Sequence, residues 1–277
     1  MVENIQNGAE QFASFITEKI PQTNNEKVKY YFSGSLAMLL LSISKKIKPL
    51  KSDGNGNIIS TAPEKEISND TLKYFKNGVR PISIDIDIVE MHDEDFSNMN
   101  STKFYNLKSI KENCQDWYSL CPNWHGFNGT MYIDILTNER EIFSHNMAII
   151  ELSNGKKILI VNPVDLMFHK ISEICMIDKD RDYKKFDKDC KDIACLYNGL
   201  SALEMLPKNA EKYLQNMTKN NHFSAVNNLQ YYDYINKINE FYTSTKNYII
   251  PKERINFSLL TNSVKSFNEL SIANEMQ

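Results

Sequence analysis

Long hydrophobic runs are scarce in this sequence. The longest, Leu36 to Ile43, falls far short of the roughly 20 apolar residues that span a bilayer, so no membrane segment is expected. A basic excess is missing as well. Lys and Arg number 32 against 35 Asp and Glu, for a formal net charge of −3 and a pI near 6.0. That balance excludes a chain-wide cationic field for holding nucleic acid, and leaves only a local patch for such contacts. The opening residues Met1-Val2-Glu3-Asn4 lead no cationic stretch into an apolar one, so no secretory signal is expected and the expected location is cytoplasmic. The five cysteines are odd in number, and no two are spaced CxxC, which argues against a disulfide framework. Cys114, Cys121 and His125 are close enough in sequence to suggest zinc, but a fourth ligand is not evident, and idle or buried thiols are the plainer reading. The five histidines show no HExxH or HxxxH spacing, and no GxSxG, GxGxxG or Walker-type glycine loop occurs, so hydrolytic zinc sites and the common nucleotide loops have no support.

What is present suits a folded chain. At 277 residues, 42% hydrophobic and 24% charged, it can build one large domain or two small ones around a sizeable core. Apolar residues at Phe12, Phe15, Ile16 and Ile20 predict an amphipathic helix over 5–20. Lys27 to Phe32, then Ser33-Gly34-Ser35, then Leu36 to Ile47 reads as strand, tight turn and buried helix. Residues 48–80 are polar and turn-rich, with Asp53-Gly54-Asn55-Gly56 as a loop tip, and are expected to form an insertion that carries little core and loops out of the sheet. Pro81 to Val89 alternates strictly: Ile82, Ile84, Ile86 and Ile88 on one face, Ser83, Asp85, Asp87 and Val89 on the other. A helix is expected over 104–120, a second strand over 130–136, and a hairpin around Asn154-Gly155 between Met147–Leu152 and Ile158–Val161. From Asn162-Pro163, an N-cap with proline at the first helical position, the pattern turns helical. A second helix is expected over 183–206 and further ones between 210 and 248. The aromatic segment from Phe223 to Tyr242 has helical spacing, which suits a bundle core better than base stacking. The tail past Pro251 is weakly patterned and expected to be poorly ordered.

Aspartate is depleted in strands, yet Asp85 and Asp87 stand two apart on one strand face. Adjacent anions repel unless a cation compensates them. A hard divalent ion such as Mg²⁺ takes one or two carboxylates and completes its shell with water and phosphate. The alternative is a strand face that is simply wet. Asp134, bracketed by Ile133 and Ile135, repeats the anomaly, and a third carboxylate on a neighbouring strand would complete a two-metal site. Gly34-Ser35 at a strand-to-helix junction supplies a close backbone approach and a helix N-terminus, both suited to phosphate.

The order Gly34-Ser35, Asp85-Ile86-Asp87, Asp134 resembles the signature of the nucleotidyltransferase superfamily with a DNA polymerase β-like core. Asn162-Pro163-x-Asp165-Leu166 leading to Lys170, then Arg181 and Lys188-Asp189-x-x-Asp192-Ile193, is similar to the helical motifs of its AbiEii-like branch, the toxins of type IV toxin–antitoxin systems. The likeness spans about residues 28–200, and the distance from Gly34 to Asp85 is long for the superfamily. It implies an α+β fold: a nucleotidyltransferase-like catalytic domain over 1–161 with a mixed sheet flanked by helices, then a helical bundle over 162–250 and a tail over 251–277. It implies Mg²⁺ or Mn²⁺ held by Asp85, Asp87 and Asp134, with Asp134 beside the acceptor hydroxyl. Gly34 and Ser35 would cradle the β- and γ-phosphates of an NTP, ATP among them, and Lys170 would neutralise phosphate charge. Asp189 and Asp192 would sit near the nucleotide, or else form a solvated face paired with Lys185 or Lys188. Arg181 and Lys184-Lys185 would touch phosphate or acceptor, or else be surface charge. The implied activity is transfer of NMP to a hydroxyl of an RNA end (a tRNA included), a protein or a small molecule, with an antitoxin-like partner. The alternatives are a non-catalytic nucleotide-binding or protein-interaction module of the same fold, which costly clustered anions disfavour, and a two-metal phosphoester hydrolase.

Overall fold

A computed structural model describes residues 2–25, 27–82, 86–91, 133–137, 146–176 and 183–207. The expected helix over 104–120, the helices and aromatic segment past residue 207, the tail, the proposed zinc ligands, Asp85 and Arg181 lie outside the described residues.

The chain is α+β, with five helices and a mixed eight-stranded sheet among the described residues. Helix α1 (Val2–Lys19) turns Ile5, Ala9, Phe12, Ala13 and Ile16 into the core. The i, i+3, i+4 recurrence of these residues makes one apolar stripe. A two-stranded ribbon, β1 (Thr23–Asn24) with β2 (Lys27–Val28), leads into β3 (Tyr30–Phe32) and then α2 (Gly34–Leu41). Strands β4 (Lys46–Ser52), β5 (Ile58–Thr61) and β6 (Lys65–Glu66) and helix α3 (Asn69–Lys76) follow. Next come β7 (Ile86–Glu90), β8 (Ile133–Thr137), the hairpin β9 (Asn146–Glu151) and β10 (Lys157–Val161), and helices α4 (Pro163–Met176) and α5 (Tyr183–Ala202).

The sheet runs β5-β4-β9-β10-β3-β7-β8, with β6 also on β4. β10–β3 and β7–β8 are parallel and the other pairs antiparallel. Register aligns Pro49, Ala148, Ile160, Phe32, Ile88 and Ile135 in one row across six strands. Ladder partners share a face, and Ala148, Ile160, Phe32 and Ile88 of this row are all buried, as are Met147, Val161, Tyr31 and Val89 on the other face. The pleat puts Asp87 on the opposite face.

Two expectations are corrected. The apolar run after Ser35 makes a helix of only eight residues. The Ser42 and Ser44 hydroxyls donate to Leu39 O and Leu40 O, each at 2.6 Å, and such local bonds compete with helix continuation. Residues 48–80 do not loop out of the sheet. β4 lies between β9 and β5, and Leu50, Ile67, Thr71 and Phe75 are buried. The alternation of apolar and charged residues in β4 is masked by Pro49 and by three lysines in seven residues.

The chain divides into two compact units, the first running through Pro163 and the second from Val164. In the first, α1 is tied to the β9–β10 turn. Ser153 Oγ donates to Glu10 Oε1 at 2.8 Å, and Lys156 Nζ pairs with Glu18 Oε1 at 2.8 Å. In the second, α4 and α5 are joined by the ion cluster described below. No helix among the described residues is long and apolar enough to cross a membrane.

Candidate functional site

The strand-to-helix turn at residues 33–35 is built by backbone chemistry. β3 and β7 pair antiparallel up to Phe32 and Ile88, and Ser33 N–H extends the ladder by donating to Asp87 O at 3.0 Å. Ser33 is extended (φ −130°, ψ −167°) and Gly34 is left-handed (φ +54°). The reversal turns the chain into α2 within one residue, a conformation that glycine adopts at little cost. Ala37 N–H closes the first helical bond on Ser33 O at 3.1 Å. No side chain caps this helix and no acid stands in its first turn. The positive end of the helix dipole therefore has no carboxylate of its own helix beside it. Gly34 and Ser35 are half-exposed there, while Ser33 is buried.

Asp87 sits directly against this turn. A Cβ built on Gly34 would collide with Asp87 Oδ2, and would stand 2.8 Å from its Cγ and 3.3 Å from its own Cβ. The half-buried carboxylate thus occupies the space that a side chain at 34 would fill. On the other side of β7, Asp134 is the register partner of Asp87 in the parallel β7–β8 ladder. The two residues therefore stand on the same face of adjacent strands, about 5 Å apart along the hydrogen-bond direction. This is the juxtaposition that the separation of these residues in sequence could not establish.

The residue types at these positions fit a hard divalent cation. Asp87 offers carboxylate oxygens, the donors such an ion takes, and its register partner on the neighbouring strand is a second aspartate. Among the described residues, no group of three or more His, Cys, Asp or Glu is gathered to hold a metal. Asp85 and Asp134 contribute no described side chain to that set.

The second unit holds the other group of expected residues. Lys170 on α4 is buried, with Nζ 3.0 Å from Asp189 Oδ1 and 2.9 Å from Asp192 Oδ2. The two acids are three apart on α5, hence on one face of the helix, and both are fully buried. This corrects the solvated face in the alternative reading, while its pairing with Lys188 is present in part. Lys188 reaches Asp189 Oδ1 at 3.9 Å, and the nearer cation is Lys170. Burial pushes the Lys170 ammonium down, but the carboxylates of Asp192 and Asp189 and their hydrogen bonds outweigh this and hold its pKa above the ordinary 10.5. Two anions share one cation, and Asp189 Oδ2 accepts no hydrogen bond. Lys170, which the resemblance assigns to phosphate, has its charge already engaged within the helix pair.

Sequence reasoning missed two features. Ser33 welds the turn to the strand of Asp87 through its backbone, which no side-chain pattern reveals. Glu90, at the end of β7 on the isoleucine face, is buried, although a trailing Val-Glu reads as the strand leaving the core. Compared with known proteins, the chain matches no family model, no curated sequence and no solved structure.

Proposed function

We propose that the protein is a divalent-metal-dependent nucleotidyltransferase that moves NMP from an NTP to an acceptor hydroxyl. The observation that carries this reading is the meeting of Asp87 with the Gly34 turn on one side and, in register, with Asp134 on the other. In this reading Asp85, Asp87 and Asp134 hold Mg²⁺ or Mn²⁺, which when bound polarises the α-phosphate and lowers the pKa of a coordinated hydroxyl. The uncapped start of α2 and the Ser35 hydroxyl receive the β- and γ-phosphates. The acceptor oxygen forms its bond to the α-phosphorus as the bond to the bridging oxygen breaks, pyrophosphate leaves, and Asp134 takes the acceptor proton. Such transfer depends mainly on positioning and charge stabilisation, which rigid strand positions favour. The acceptor is an RNA end, a protein side chain or a small molecule.

The test is incubation with each of four α-labelled NTPs and a cell extract, then location of the label. Asp87→Asn should abolish transfer with an unchanged circular dichroism spectrum. Undiminished transfer by that variant would refute the reading. Metal-dependent NTP binding with no labelled product would favour the non-catalytic module instead.

A further inference from the structure

We infer that Gly34 is a positioning residue that acts through Asp87: the missing Cβ, more than any contact with phosphate, is what seats the carboxylate. This rests on the metal-holding role proposed for Asp87. Three observations converge on it. Asp87 Oδ2 fills the volume of a Cβ at residue 34. The two residues cannot drift apart along the strands, because Ser33 N–H holds Asp87 O at 3.0 Å. And Gly34 has φ +54°, which fixes the direction in which a Cβ would project.

Any side chain at 34 therefore leaves one outcome. The backbone on both sides is held in the ladder, so the Asp87 carboxyl must rotate off the turn. That movement takes the oxygen from its place against the Gly34 turn. Gly155 provides the contrast. It has φ +82°, yet a Cβ there meets nothing within 4 Å, so Gly155→Ala carries the left-handed strain and no displaced acid.

The experiment is calorimetric titration of the full chain with MnCl₂ in the absence of nucleotide. Gly34→Ala and Gly34→Asn should both weaken Mn²⁺ binding by about 10- to 100-fold, the range seen when a residue that orients a metal ligand is lost. Asparagine tolerates positive φ better than alanine, so equal losses identify the Cβ and not the backbone strain as the cause. Gly155→Ala should bind Mn²⁺ as the wild type does, and Gly34→Ala in an Asp87→Asn background should lose nothing further. Wild-type affinity in Gly34→Ala would overturn the inference. If the wild type itself binds no Mn²⁺, the metal role of Asp87 fails, and a double-mutant cycle on urea unfolding decides the contact separately. Coupling between positions 34 and 87 then supports action through Asp87, and additivity overturns it.

Discussion

Replacing Lys170 by methionine keeps the aliphatic stem and removes the buried cation that lies within 3.0 Å of both Asp189 and Asp192. Each contact is about 3 Å long, and at an effective dielectric near 20 a unit pair at that distance attracts by roughly 5 kcal/mol. Much of this is offset by the desolvation of three buried ions. The loss on removing one partner is nonetheless large, because the remaining carboxylates stay buried without their nearest cation, at about 3–5 kcal/mol. Lys170→Met should therefore destabilise the protein by about that amount in urea unfolding. Adding Asp189→Asn and Asp192→Asn should recover much of the loss, since a neutral cluster has no orphaned charge. The pH dependence has a definite sign. A cation whose folded pKa is raised contributes its full stability below its unfolded value and loses it only as pH climbs through the folded one. The folded pKa lies above 10.5, so the Lys170 contribution is undiminished up to about pH 10. A loss below about 1 kcal/mol for Lys170→Met, in the range of an exposed pair, would refute this account. So would a triple variant no more stable than the single one.

Two other substitutions probe the scaffold of the first unit. Gln22 uses its side-chain amide as a substitute strand: Nε2 donates to Leu159 O at 2.8 Å and Oε1 accepts from Leu159 N–H at 2.7 Å. Gln22→Leu should cost about 3 kcal/mol in chemical denaturation, because two buried backbone groups lose their partners together. Ser68 caps α3 by accepting from Thr71 N–H at 3.2 Å, and Ser68→Ala should cost about 1 kcal/mol, with amide exchange rising first at the start of that helix.

The parts of the fold that were legible in sequence are those governed by local chemistry. The β9–β10 hairpin follows from Asn154-Gly155: Gly155 takes φ +82° and Lys156 N–H donates to Asn154 Oδ1 at 2.8 Å. α4 starts at Pro163 as the Asn-Pro pair predicts, and β7 keeps its alternation to Ile88. β4 escaped notice because its membership is decided by partners distant in sequence. Pro49, a residue usually confined to edges, sits in a strand flanked on both sides. In the candidate site, the spacing of Asp85 and Asp87 was readable and the Asp87–Asp134 register was not. Parallel neighbours are joined by a crossover whose length leaves the register open. Nor does any pattern of residue types disclose a carboxylate resting on a glycine.

The Lys170 cluster also bears on how triphosphate charge would be met in the proposed reaction. An ammonium has three protons to donate, and two carboxylates within 3.0 Å already hold this one in a buried place. For Lys170 to bind phosphate, at least one of those contacts must open, parting a buried aspartate from its nearest cation at a cost of about 3–5 kcal/mol. At the start of α2 the neighbouring carboxylate is Asp87, half-buried against Gly34. Gly34 and Ser35 at the start of α2 are half-exposed, and no side chain caps that helix. In the proposed enzyme, phosphate charge is therefore met by that helix start and by the cations that Asp85, Asp87 and Asp134 hold, while Lys170 keeps two helices of the second unit in register. Lys170→Met combined with both aspartate-to-asparagine changes separates these roles: a refolded triple variant that still transfers label places Lys170 in the scaffold, and a stable but inactive one returns it to the substrate.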